Sequence, residues 1–122
     1  MNIENIKSVY FVGAGGIGMS ALIRYFLSKG KLVAGYDRTP SELTEHLIAE
    51  GAQIHYEENV SLIPEDCKDK ETTLVVYTPA VPQDHAELVY FRNNCFEIQK
   101  RAQVLGTITH SSKGCLLYTS DA

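Results

Sequence analysis

A chain of 122 residues, 44% hydrophobic and 21% charged, has the make-up of one small globular domain with a real core, and not of a disordered or fibrous protein. Its formal net charge of −4 gives no general attraction to nucleic acid or to an anionic membrane, so a phosphate site would have to be built locally, from backbone dipoles and a few cations. No apolar run approaches the ~20 residues of a membrane span. The start, Met1-Asn2-Ile3-Glu4-Asn5, lacks the basic and apolar regions of a secretion signal. Cys67, Cys95 and Cys115 are odd in number and have no histidine at ligand spacing, so neither a metal site nor a disulfide framework is expected. The expectation is a cytoplasmic protein with reduced thiols and with no nucleic-acid or membrane partner.

Residues 1–7 form a polar lead-in. The first predicted strand, about Ser8 to Val12, is almost continuously apolar, as suits a parallel strand covered on both faces. Directly behind it stands Gly13-Ala14-Gly15-Gly16-Ile17-Gly18-Met19-Ser20, with Gly13, Gly15 and Gly18 at G-x-G-x-x-G spacing. The physical reading is a strand, a tight turn and the N-terminus of a helix. Gly13 lets the chain turn, Gly15 lets a pyrophosphate approach the backbone, and Gly18 lets the helix lie close to the strand. The unpaired amides of the first helical turn and the positive end of the helix dipole attract phosphate. The predicted helix runs from about Gly16 to Lys29 with Met19, Leu22, Ile23 and Phe26 as its apolar stripe, and Gly30 as its stop. Ser20 is placed either to offer its hydroxyl to a phosphate or to bond locally to the backbone.

A second strand, Lys31 to Tyr36, ends at Asp37, 19 residues beyond Gly18. There a carboxylate can accept hydrogen bonds from ribose hydroxyls. Thr39-Pro40-Ser41-Glu42 reads as a helix start, with Thr39 as N-cap, Pro40 as first helical residue and Glu42 closing a capping box. That helix is expected to bury Leu43, Leu47 and Ile48 and to end at Gly51. A short third strand fits Gln53 to Tyr56. Residues 57–71 are acidic and irregular, with Val60, Leu62 and Ile63 as a patch covering a sheet edge. The β-branched run from Thr72 to Tyr77 is the fourth strand. It leads into Thr78-Pro79-Ala80-Val81-Pro82, a stiff loop that is either one wall of a ligand site or a plain connector. Asp84 with Glu87 predicts the cap of a third helix, through Asn93, burying Leu88, Val89 and Phe91, with Asn93 or Asn94 as a left-handed ending. Phe96 to Gln99 is the fifth strand, Lys100 to His110 a last helix carrying Ala102, Val104, Leu105 and Ile108, and Cys115 to Tyr118 the start of a sixth strand.

This alternation implies an α/β fold, a Rossmann-like three-layer sandwich with a parallel sheet in strand order 3-2-1-4-5. Ligands in such sheets sit outside the carboxyl ends of the strands, where the order reverses. That gathers the glycine loop, Asp37 and the 78–82 loop around one crevice. The residues specify a molecule with a pyrophosphate and a ribose but do not choose among NAD, FAD and a UDP-sugar. His55, His85 and His110 have no serine, cysteine or carboxylate partner at a recognisable spacing, so a binding unit without catalytic residues is expected.

Gly13-Ala14-Gly15-Gly16-Ile17-Gly18-Met19-Ser20, Gly35-Tyr36-Asp37, Thr78-Pro79-Ala80-Val81-Pro82, Glu87-Leu88-Val89 and Arg101-Ala102-Gln103-Val104-Leu105 together resemble the N-terminal domain of the Mur ligases of peptidoglycan synthesis, in particular those that add L-alanine to UDP-N-acetylmuramate. The similarity covers about residues 6–114. It implies that residues 1–114 bind the UDP part of UDP-N-acetylmuramate. The contacts it implies are Gly13, Ala14, Gly15, Gly16, Ile17, Gly18, Met19 and Ser20 at the diphosphate, Asp37 near the uridine, and Thr78, Pro79, Ala80 and Val81 along the crevice wall. In the parent enzyme a second domain binds ATP and Mg²⁺, and a third holds the amino acid. ATP phosphorylates the substrate carboxylate, and the amine of L-alanine attacks the acyl phosphate. Two departures stand out. Tyr36 replaces a family serine before the acid, and no G-x-x-x-x-G-K-[ST] phosphate loop follows Lys113-Gly114. A truncated chain with a non-native tail at 115–122 is therefore expected, one that binds but does not ligate. The alternatives are the NAD-binding domain of a dehydrogenase and a stand-alone nucleotide-binding regulatory module.

Overall fold

A computed structural model of the chain describes residues 5–15, 18–57, 59–78, 81–82, 84–101, 103–104 and 106. The expected sixth strand, the tail and the helix beyond 106 lie outside the described residues. Five parallel strands, β1 (Ser8–Val12), β2 (Leu32–Tyr36), β3 (Gln53–His55), β4 (Thr73–Tyr77) and β5 (Glu97–Lys100), form one sheet in the order β3-β2-β1-β4-β5. This is the expected α/β architecture and strand order. Between the strands run α1 (Met19–Ser28), α2 (Glu42–Glu50) and α3 (Ala86–Asn93). Residues 57–71 are less irregular than expected: they hold two short 3₁₀ turns, Val60–Leu62 and Glu65–Cys67. The described residues contain no helix long and apolar enough to cross a membrane.

Strand alternation divides the core in two. Val9, Phe11, Val33, Leu74 and Val76 pack with Met19, Leu22, Ile23 and Phe26 of α1, Leu47 of α2 and Val104. Tyr10, Val12, Ala34 and Val75 pack on the other face with Leu88 and Phe91 of α3, and with Ile63 and Cys67 from the 3₁₀ region. Central β1 is buried along its whole length, and each large apolar side chain so buried contributes about 1.5–3 kcal/mol. The predicted stripe of α1 is the observed one.

Local expectations failed at element ends, where short polar residues compete for the same role. The N-cap of α2 is Ser41, not Thr39, and Pro40 precedes the helix instead of opening it. Ser41 Oγ accepts from the Thr44 amide while Thr44 Oγ1 accepts from the Ser41 amide, so Thr44 and not Glu42 closes the capping box. Ile48 is exposed, because only Leu47 on that turn points at the sheet. Leu62 is exposed as well, leaving Val60 and Ile63 to cover the sheet. His85, not Asp84, caps α3 through its ring nitrogen to the Glu87 amide. Val89 is half-buried, and Cys95, at φ 62°, takes the left-handed position expected of Asn93 or Asn94. Strand β3 stops at His55, one residue early, while β4 starts at Thr73 and β5 runs from Glu97 to Lys100, each one residue late. Lys100 therefore belongs to β5, and the helical residues begin at Arg101.

Candidate functional site

The register levels the carboxyl ends of the strands. His55 pairs with Tyr36, Tyr36 with Val12, Val12 with Tyr77 and Tyr77 with Lys100, so five strand ends lie in one row. The order reverses beside Val12, and the loop from Gly13 rises from that point. Its glycines make three separate contacts. A Cβ on Gly13 would lie 3.1 Å from Thr78 Cγ2 and 3.1 Å from Val81 Cγ2; Gly13 also has φ +94°, which disfavours other residues. A Cβ on Gly15 would lie 2.7 Å from Asp37 Oδ2 and 3.2 Å from Thr44 Cγ2. A Cβ on Gly18 would lie 2.9 Å from an Arg101 guanidinium nitrogen. The glycine loop, Asp37, Thr78 and Val81 are thus brought together. Gly16, Ile17, Pro79 and Ala80 lie outside the described residues.

The contacts change the roles assigned to individual residues. Gly18 does not serve close packing of helix on strand; its open side faces Arg101, and with φ 79° it is the left-handed N-cap of α1. The helix accordingly starts at Met19 and not at Gly16. The amides of Gly13 and Ala14 both donate to the Tyr36 carbonyl at 2.8 Å. They fasten β1 to β2 and are not available to a ligand. The side chains of Ala14 and Met19 are fully buried in the core, so only the backbone of Met19 can face the crevice. Ser20, second in α1, is half-buried.

The start of α1 is electrostatically open. Gly18 supplies no side-chain cap, and the first turn carries no acid. By contrast α2 has the Ser41 capping box with Glu42 and Glu45 in its first turn, and α3 has the His85 cap with Glu87. The first amides of α1 thus point at the row of strand ends with no side-chain acceptor among the described residues. An anion is the complement they lack.

Below the row, on the α3 face, stands a cluster that sequence spacing did not show. Tyr10 Oη donates to Glu87 Oε1 at 2.5 Å. His55 Nε2 lies 2.8 Å from Glu87 Oε2 and 3.1 Å from Tyr10 Oη, and the Asn59 amide donates to Glu87 Oε2 at 3.1 Å. Glu87 is fully buried. Burial, followed by the Glu87 charge, pushes the Tyr10 hydroxyl well above its ordinary pKa. The expectation that His55 stands alone is therefore wrong: its carboxylate partner is 32 positions away and is delivered by α3. His85 too is tied in, through the Glu87 amide and a ring contact with Tyr36 at 4.6 Å. A sequence signal existed in Tyr10, since a tyrosine at the centre of a buried strand needs a partner for its hydroxyl.

A separate open cleft of about 460 Å³ lies at the opposite, amino edge of the sheet, lined by Lys7, Ser8, Leu32, Glu65, Asp66, Asp69 and Thr72. Its lining holds no glycine, and the 3₁₀ turn that begins there carries the acids Glu65 and Asp66. Among the described residues no group of three or more His, Cys, Asp or Glu side chains converges to hold a metal ion.

Comparison with known proteins decides the family. The profile described as "Mur ligase family, catalytic domain" matches residues 8–113. The chain belongs to the Mur ligase family. Within this family it is 69% identical over 114 residues to UDP-N-acetylmuramate–L-alanine ligase of Phocaeicola vulgatus, covering 93% of the chain and 25% of that protein. It is 56% identical over 109 residues to the ligase of the same name from Flavobacterium johnsoniae, covering 89% of the chain and 24% of that protein. The crystal structure of UDP-N-acetylmuramate-alanine ligase from Thermotoga maritima superposes with a TM-score of 0.77 at 30% identity, over 87% of this chain and 23% of that one. The chain thus spans about a quarter of the length of the Mur ligases it matches.

Proposed function

We propose that this chain is the UDP-sugar-binding unit of an ATP-dependent Mur ligase that joins L-alanine to UDP-N-acetylmuramate in peptidoglycan synthesis. The observation that carries the proposal is the uncapped, acid-free start of α1 at the strand-order reversal, with Asp37 against Gly15 on one side and Thr78 and Val81 against Gly13 on the other. On this assignment the amides from Gly15 onward through the first turn of α1 hold the diphosphate, and Gly13 and Ala14 hold the turn in shape through the Tyr36 carbonyl. Asp37, at the end of β2, accepts hydrogen bonds from the ribose. The names of relatives that are 69% and 56% identical favour a uridine diphosphate over a nicotinamide ligand.

In a full-length ligase ATP and Mg²⁺ would be held by other domains, and the task of this unit is to bind and orient one substrate. Calorimetric titration of the 122-residue chain with UDP-N-acetylmuramate, UDP and NAD tests the assignment. Binding of the two uridine compounds with no heat from NAD is expected. Binding of NAD alone would transfer the chain to a dehydrogenase-type role. ATP-dependent condensation of UDP-N-acetylmuramate with L-alanine by this chain would refute the purely binding role.

A further inference from the structure

We propose that Arg101 is the side-chain ligand of the diphosphate, closing the anion site from the β5 side. The proposal rests on the uridine-diphosphate assignment above and adds to it a residue that neither the glycine spacing nor Asp37 points to. Arg101 directly follows Lys100, the last residue of β5, which stands in the row of strand ends beside Tyr77. From there its side chain crosses to the glycine turn. A Cβ on Gly18 would meet a guanidinium nitrogen at 2.9 Å, Cδ at 3.0 Å and Nε at 3.1 Å, so the guanidinium lies directly against the open side of Gly18.

This arrangement sets a positive charge against the positive end of a helix dipole. The two repel unless an anion lies between them. Among the described residues the ion pairs are Arg24 with Glu50 and His55 with Glu87, and neither involves Arg101. The acid nearest the loop, Asp37, sits at Gly15, on the other flank. The turn is therefore polarised, with a carboxylate against Gly15 and a guanidinium against Gly18. A ligand with hydroxyls at one end and two phosphates at the other matches that order. A guanidinium presents a planar fork of donors that binds phosphate oxygens in pairs, which an ammonium cannot reproduce.

The test compares UDP, UMP and uridine on the wild-type chain, Arg101→Ala and Arg101→Lys, by chemical-shift titration, with circular dichroism to check folding. Arg101→Ala is expected to weaken UDP roughly ten- to a hundredfold, the usual worth of a hydrogen bond to a charged group. It should weaken UMP less and leave uridine unchanged, with Arg101→Lys recovering only part of the loss. A folded Arg101→Ala chain that binds UDP as the wild type does would overturn the role of Arg101 while leaving the glycine-loop assignment intact. Equal weakening of all three compounds would also overturn it, since the residue would then serve the fold. A wild-type chain that binds no UDP would instead remove the assignment on which the proposal stands.

Discussion

Gly35 shows how little room a single position can leave. It lies in β2 opposite Phe11, and a Cβ there would come within 2.6 Å of the Phe11 carbonyl oxygen. That neighbour is backbone in the central strand and cannot swing aside. Gly30 is the useful contrast: it has φ +76°, but nothing lies within 4 Å of its would-be Cβ. Gly35→Ala should therefore cost about 2 kcal/mol or more through overpacking, and Gly30→Ala about 1 kcal/mol through backbone strain alone. Urea denaturation of the two variants checks the order; a Gly30→Ala variant less stable than Gly35→Ala would contradict it. The glycines were legible in the sequence by spacing, but only partly by role. Gly13 turns the chain at φ +94° as read, whereas at Gly18 it is the left-handed backbone, φ +79°, that excludes a side chain, and only the fold shows that the open side faces Arg101.

At the scale of elements, the Tyr10, Glu87, His55 and Asn59 cluster joins β1, α3, the end of β3 and the segment behind it. Tyr10, Glu87 and the His55–Asn59 stretch lie far apart in sequence, and a buried carboxyl with three polar neighbours holds them in one register. Glu87→Ala leaves the Tyr10 hydroxyl and the Asn59 amide without that partner and opens a void. A loss of about 3–5 kcal/mol is expected. Glu87→Gln keeps the volume and part of the hydrogen bonding and should lose less. Denaturation midpoints of both variants unchanged from the wild type would show that the cluster is decorative. Elements with strong hydrophobic periodicity were read closely: β1 matches from Ser8 to Val12 and α1 ends within one residue of the expected Lys29, although it starts at Met19, three residues after Gly16. The start of α2 was not, because Thr39, Ser41 and Thr44 are all competent cap or box residues and only the direction of the chain selects between them. The cluster itself was invisible because Glu87 and His55 approach through parallel strand crossovers, which leave no spacing rule.

Over the whole molecule, the two sheet faces differ in chemistry, and this sets the response to alkali. The α3 face carries two groups that burial keeps protonated: Tyr10, and Cys67, whose thiol burial and then the Asp66 charge push up to about 12 from 9.0. Because both folded-state values lie above those of the unfolded chain, the folded protein holds more protons than the unfolded one over that interval. Stability is thus fully present below about pH 9 and falls as pH rises from there toward 12. Urea midpoints measured from pH 7 upward should be level at first and decline above pH 9, and Cys67→Ala should soften the decline. A midpoint that climbs in that range would reverse the sign. The global fold was legible because βα alternation and the order of apolar runs leave few topologies. The crevice was legible in part, since one topological rule collects the loops behind β1, β2 and β4, but it does not tell which amides are already spent.

Two amides clasped on one carbonyl at Tyr36 hold the first turn rigidly before anything arrives. On the proposed assignment that part of the turn is a preset mould, and an incoming diphosphate spends no affinity on ordering Gly13 and Ala14.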